Sequence, residues 1–244
     1  MPRSAIGLIL AAGRGERLGE GAPPEGKAFA PILGEPMLCW SVRAFDACDA
    51  IGAIVLVAPP GEEARAREVV AGCDAKLSAV VAGGAERQDS LGAGLDALAA
   101  LGESDPLVAV HDAARALVRP VDVSRAVVAA ERWGAAILAV PVKDTIKVVE
   151  KESWIQATPD RATLWIAQTP QVARASLLRR GLMNARARGL RSTDEAALLE
   201  GIGVAVRVVL GDYGNLKITT PDDVVLAEAI LRKRSAGAPD GAGL

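Results

Sequence analysis

The 244-residue sequence contains one histidine, His111, and three cysteines, Cys39, Cys48 and Cys73, with no C-x-x-C pair. A zinc site of nitrogen and sulfur donors needs more than this, which excludes zinc as the organising centre. The cysteines read as reduced core residues of a cytoplasmic protein. Charge of one sign is not in excess either: 28 basic against 30 acidic residues leave a net charge of −2, spread along the chain. Without a basic field there is no footprint for DNA, RNA or an anionic membrane surface. The apolar run at residues 6–12 is too short to span a bilayer, and Gly13-Arg14-Gly15 follows it where a signal peptide would show a cleavage site.

What is present is an alternation. Half of the residues are hydrophobic, enough to bury the core of one domain. Short β-rich runs at 5–10, 53–57, 78–81, 107–110, 135–140 and 204–210 alternate with helical periods at 36–48, 62–71, 85–101, 121–133, 174–187, 193–200 and 221–233. The pattern predicts an α/β fold, a Rossmann-like, doubly wound and mainly parallel sheet with helices on both faces. We expect a single domain over 1–234 and a flexible tail at 235–244, with Thr193 capping its helix. One stretch breaks the alternation: residues 143–155 read as two short strands around a charged turn, for which such a sheet has no room. It is expected to project as a β-hairpin arm, about 143–160, whose Ile146, Val148, Trp154 and Ile155 need a partner surface. A homodimer supplies one.

Three segments could carry chemistry. Residues 10–19, Leu10-Ala11-Ala12-Gly13-Arg14-Gly15-Glu16-Arg17-Leu18-Gly19, form a glycine-rich turn directly after the first strand, where backbone N–H groups can approach phosphate oxygens. Leu18 at the third glycine position removes it from the dinucleotide fingerprint. Residues 21–28 match the P-loop spacing up to Lys27, but Ala28 has no hydroxyl for a metal and two prolines remove N–H donors. What remains is a glycine turn beside Arg14, Arg17 and Lys27, three cations suited to a triphosphate. His111-Asp112-Ala113-Ala114-Arg115 ends another apolar strand. A carboxylate there can sit beside a phosphate only when a metal or a cation screens it, so Asp112 points to a Mg²⁺-bound nucleotide or a hydroxyl-rich substrate. His111 reads as a structural hydrogen-bonding residue. In Asn215-Leu216-Lys217-Ile218-Thr219, read as a strand, Lys217 alternates with apolar neighbours and needs an anion, either a protein carboxylate or a substrate phosphate.

These segments are joined by Gly83-Gly84, Glu86-Arg87, Asp89-Ser90, Pro141-Val142-Lys143-Asp144-Thr145, Gln168-Thr169-Pro170-Gln171 and Thr193-Asp194-Glu195-Ala196. In this order they resemble the 2-C-methyl-D-erythritol 4-phosphate cytidylyltransferases, from residue 5 to about residue 231. The resemblance implies transfer of a cytidylyl group from CTP to a small phosphorylated polyol, with Mg²⁺ carried mainly by the triphosphate and no side chain assigned to a metal. It implies that Arg17, Lys27, Arg161 and Lys217 are catalytic, and that Leu10, Ala11, Ala12, Gly13, Gly15, Gly84, Ala85, Ser90, Asp112 and Ala113 bind the nucleotide. Asp112, Arg115, Thr145, Arg161, Thr193 and Lys217 would place the acceptor, Thr145 and Arg161 reaching across a dimer. The alternatives are transfer to another polyol phosphate, such as ribitol 5-phosphate, or to a sugar phosphate, and a nucleotide-binding regulator without turnover. Three positions depart from the family pattern: Gly26-Lys27-Ala28 where Pro-Lys-Gln is usual, Ala116 where proline is usual, and Ala85 where an acidic residue is common.

Overall fold

A computed structural model of the chain describes residues 4–13, 23–73, 75–102 and 104–236. In chain order its elements are β1 (Ala5–Leu10), β2 (Pro31–Ile32), β3 (Glu35–Pro36), α1 (Met37–Asp46), β4 (Ile51–Ala58), α2 (Glu63–Val70), β5 (Leu77–Ala82), α3 (Arg87–Ala97), β6 (Leu107–Asp112) and α4 (Pro120–Trp133). There follow β7 (Ala135–Pro141), β8 (Val148–Val149), β9 (Ile155–Ala157), β10 (Trp165–Arg174), α5 (Ala175–Ala187), α6 (Glu195–Glu200), β11 (Arg207–Leu210) and α7 (Pro221–Ala236). Seven strands form one sheet in the order β11-β7-β10-β6-β1-β4-β5. Its pairings are parallel except where β10 lies antiparallel between β6 and β7.

Side chains alternate across the central strands, so each strand feeds two cores. Ala5 and Ile9 of β1 pack with Leu38, Val42 and Phe45 of α1, Val70 of α2 and Val123 and Val127 of α4. Ile6, Leu8 and Leu10 face the other way, onto Leu91 and Leu95 of α3, Leu178 of α5 and Leu198 of α6. This two-sided burial explains why the strands read as nearly continuous apolar runs. A smaller cluster joins Ile32 and Met37 to Ile218, Ala227 and Leu231, seating α7 over the hairpin of β2 and β3.

The doubly wound sheet expected from the sequence is therefore the observed one, with one strand added. The sequence pattern does not announce a strand at 165–174, because Gln168-Thr169-Pro170-Gln171 interrupts its apolar run and proline demotes such a run. The structure resolves the conflict with an irregularity: the register against β7 shifts between Ala167 and Gln171, so Pro170 is not asked for a ladder hydrogen bond. Three further corrections are small. Lys217 lies on a segment that is not a strand, tied by Ile218 N–H to the Ala114 carbonyl at 2.8 Å. The α6 cap is Asp194, whose carboxylate accepts from Ala197 N–H at 3.0 Å, and not Thr193, which is exposed. α7 continues to Ala236, so residues 235 and 236 of the expected tail are helical; its remainder lies outside the described residues.

The arm is present. β8 and β9 pair antiparallel in a separate two-stranded sheet around a 3₁₀ turn at Lys151–Ser153, and Trp154 and Ile155 are 68% and 62% exposed. No described helix is long and apolar enough to cross a membrane.

Candidate active site

β1 has β4 on one side and β6 on the other, so the loops leaving the carboxyl ends of β1 and β6 diverge and open a crevice at the point where strand order reverses. Ala11 N–H donates to the Val57 carbonyl at 2.8 Å, and Ala113 N–H to the Leu10 carbonyl at 3.0 Å, which fixes both loops to the sheet. The loop after β5 closes the third side. A Cβ on Gly83 would stand 2.4 Å from the Ala12 Cβ, so only glycine lets these two loops touch. Ser90 is buried and accepts from Gly84 N–H at 3.2 Å, holding the loop against the first turn of α3. The resulting cavity, about 190 Å³, is lined by Leu10, Ala11, Ala12, Gly13, Gly84, Ala85, Ser90, Asp112 and Ala113 together with Lys27, Arg87 and Lys217. Ala28, Glu86 and Ala114 complete the lining, so small residues and three cations share one cavity.

The charged groups form a chain. Glu195, which is fully buried, accepts from the Arg87 guanidinium at 2.6 and 3.0 Å. Arg87 also donates to Oδ1 of Asp112 at 3.2 and 3.0 Å, and Lys217 Nζ sits 2.7 Å from Oδ2 of the same carboxylate. Burial alone would push the Asp112 carboxyl up, but Arg87 and Lys217 overcome it and hold the group well below the usual carboxylate range. Burial likewise works against charge on Arg87, and the carboxylates of Glu195 and Asp112 more than restore it. The anion that Lys217 requires is thus Asp112, and the screening that Asp112 requires comes from two side chains.

Lys27 lines the same cavity, its Nζ 2.9 Å from the Ile218 carbonyl. It follows Gly26 at φ +122°, a left-handed conformation closed to proline, whose ring fixes φ near −65°. The departure from Pro-Lys-Gln is therefore accompanied by a backbone that proline could not adopt.

The remaining predicted residues are dispersed. Arg115 is buried and directed away from the crevice, onto the Asn215 and Ala167 carbonyls at 2.9 Å each. Thr145 and Arg161 are exposed on the arm and do not line the cavity of their own chain. Thr193 is likewise outside it. Arg14, Gly15 and Arg17 lie outside the described residues.

Sequence reasoning missed the roles of Arg87 and Glu195, and of the β10 irregularity that organises them. Thr169 Oγ1 accepts from Asp112 N–H at 3.1 Å and lies 2.9 Å from His111 Nδ1. Gln171 accepts from Ala196 N–H at 2.8 Å and donates to Asp194 at 3.0 Å, which seats the start of α6 and hence Glu195. All of these residues belong to the quoted motifs. The available signal was that three polar motifs, far apart in sequence, each needed buried partners.

His111 is wholly buried against Phe45, with ring centroids 4.9 Å apart, and burial lowers its pKa from 6.5 to about 3. A histidine kept neutral in the fold protonates more readily when unfolded, so its contribution is intact above pH 6.5 and is lost as pH falls from there towards 3. Between pH 6.5 and about pH 5 we expect unfolding free energy to fall by about 2 kcal/mol from this group, at roughly 1.4 kcal/mol per pH unit. Urea titrations of wild type and His111→Asn across this range measure it; parallel pH profiles for the two proteins would refute it.

A crevice at the strand-order reversal of a doubly wound sheet, lined by small residues and by Lys27, Arg87 and Lys217, suits a nucleotide-dependent transferase of the nucleotidyltransferase type. The family model described as 2-C-methyl-D-erythritol 4-phosphate cytidylyltransferase matches residues 5–233. The chain is 46% identical over 230 residues to the protein of that name from Symbiobacterium thermophilum, covering 93% of each chain. It is 41% identical over 232 residues to that from Desulforamulus reducens, covering 94% of this chain and 97% of the other. The crystal structure of the Thermus thermophilus protein of the same name superposes with a TM-score of 0.74 at 35% identity, covering 94% of this chain and all of that one. The chain belongs to the 2-C-methyl-D-erythritol 4-phosphate cytidylyltransferase family.

Proposed function

We propose that the chain transfers the cytidylyl group of CTP to 2-C-methyl-D-erythritol 4-phosphate, giving 4-diphosphocytidyl-2-C-methyl-D-erythritol and pyrophosphate. The observation that carries this reading is the lining of the crevice by small residues together with the cations Lys27 and Lys217. The small residues take the nucleoside, with Gly84, Ala85 and Ser90 around the base, and the cations take the phosphates. An oxygen of the acceptor phosphate attacks the α-phosphorus in line, the bond from that phosphorus to the bridging oxygen breaks, and pyrophosphate leaves with the electron pair. A phosphate monoester dianion is already a nucleophile, so no general base and no covalent intermediate is required. The protein's task is to hold two polyanions together and to stabilise the charge that builds on the phosphoryl oxygens. Lys27, with Arg17, acts on the triphosphate; Lys217, held by Asp112, places the acceptor.

Mg²⁺ fits this site as a passenger of the triphosphate. Both Asp112 oxygens are already engaged by Arg87 and Lys217, and no group of three metal-binding side chains occurs among the described residues. The triphosphate oxygens would hold the ion, which would add neutralising charge to them. Burial of Cys39 and Cys48 as thiols agrees with a cytoplasmic location.

Pyrophosphate release on mixing with CTP, Mg²⁺ and a panel of acceptors tests the reading. Release is expected with 2-C-methyl-D-erythritol 4-phosphate and to cease in excess EDTA. Release with ribitol 5-phosphate alone would favour a different polyol transferase, and none with any acceptor would leave a binding protein.

The arm extends the proposal to a homodimer of two single-domain chains. Ile146, Val148, Trp154 and Ile155 are 39–68% exposed on a hairpin without a core of its own. Laid symmetrically on a second copy, the two arms bury these residues twice and bring Thr145 and Arg161 into the partner's crevice. Lys27→Ala protein mixed with Arg161→Ala protein should then recover activity, towards about a quarter of wild type after random subunit exchange, since half the dimers carry one intact site. No recovery after demonstrated exchange would refute the shared site.

A further inference from the structure

The arm has no packed interior, so its direction is decided at its root. There Val142 N–H donates to the Leu164 carbonyl at 3.0 Å and Arg161 Nη1 to the Lys143 carbonyl at 3.0 Å. Tyr213, from the segment that leads to Lys217, reaches the same root by two contacts. Its hydroxyl donates to the Pro141 carbonyl at 2.8 Å, and the Lys143 ammonium stands over its ring, 3.5 Å from the centroid. A cation over an aromatic face at this distance is attracted by the ring quadrupole.

The mount beneath Tyr213 is firm. Gly211 N–H donates to the Ala139 carbonyl at 2.8 Å, and the Asp212 carbonyl accepts from Gln168 at 2.8 Å. The Asp212 carboxylate pairs with Arg119 at 3.0 Å, and Asn215 donates to the Thr169 carbonyl at 3.0 Å. A ring on a rigid turn therefore holds Lys143, and Lys143 holds Arg161.

We infer that Tyr213 is a positioning residue that latches the arm root, so that Thr145 and Arg161 are presented to the partner's acceptor site at one angle. This rests on the shared-site reading above. Tyr213 touches neither substrate; it acts through Lys143 and Arg161.

Steady-state kinetics on the full dimer test it. Tyr213→Ala should raise the acceptor KM about tenfold, the scale of one cation–π contact plus one hydrogen bond, with the KM for CTP and kcat changed less than about twofold. Tyr213→Phe keeps the ring and should restore most of the loss. Subunit mixing then separates an effect on the partner from an effect on the chain's own Lys217. In a dimer of one Lys27→Ala and one Tyr213→Ala chain, the site with intact Lys27 receives its arm from the chain with intact Tyr213. A component with the wild-type acceptor KM is expected on mixing. If Lys27→Ala with Arg161→Ala recovers but this mixture shows only the raised KM, the latch is overturned while the shared site stands. If neither mixture recovers, the shared site fails and the latch fails with it. An unchanged acceptor KM in Tyr213→Ala homodimers would also overturn the latch.

Discussion

Lys27→Ala is expected to lower turnover with CTP by about 10²-fold or more, the loss seen when one preorganised transition-state donor is removed. The ammonium belongs to a residue that lines the cavity directly after the turn at Gly26. Negative charge on a triphosphate grows at the leaving group during transfer, so a cation fixed there stabilises the transition state more than the ground state. Its role in the unliganded fold is smaller. Among the described residues the ammonium donates to the Ile218 carbonyl, and losing that bond costs about 1 kcal/mol. For a chain of this size that is a shift of roughly 2–4 °C in Tm. The outcome to look for is a separation: kcat reduced about a hundredfold or more in a protein that melts within a few degrees of wild type. An unchanged kcat would remove Lys27 from the mechanism, and a collapse of both quantities would make it structural.

The frame that presents Lys27 was legible because its signals are local. β1, β4 to β7 and the described helices announce themselves by apolar period and by their flanking turns. The cavity floor was legible for the same reason, since a glycine turn after the first strand of such a sheet has one place to be. The partnerships across the sheet were not. Lys217 visibly needed an anion, but the choice of Asp112, 105 residues away, is made by the packing of β6 against the segment after β11. Arg115 sits in a motif that suggests a ligand, and only the tertiary contacts show its guanidinium committed to two carbonyls. β10 was invisible because polar residues that would spoil a half-buried strand are here the bolts between β6, α6 and the Asn215 turn.

Those bolts place Glu195 against Arg87, and the pair supplies the largest stability effect we expect. Replacing Arg87 by Met keeps much of the stem's volume but removes the ion-pair partner of a carboxylate with no solvent exposure. Breaking a buried pair from one side costs about 3–5 kcal/mol, because the remaining charge is left without compensation. Thermal unfolding should therefore fall by roughly ten degrees or more. Adding Glu195→Gln to Arg87→Met removes the stranded charge and should return a substantial part of that stability, so that the double variant melts above the single one. Simple independence of the two residues predicts the reverse order. Activity should not return with stability. In both variants Oδ1 of Asp112 has lost its guanidinium, and among the described residues Lys217 is left as the one cation hydrogen-bonded to a carboxylate that burial would otherwise protonate. The acceptor KM is expected to stay raised in the double variant while its Tm recovers. A double variant less stable than Arg87→Met alone would show that Glu195 contributes through its own hydrogen bonds and not as the counter-charge of Arg87. Recovery of the acceptor KM together with Tm would show that the charge chain supports the fold without setting the position of Lys217.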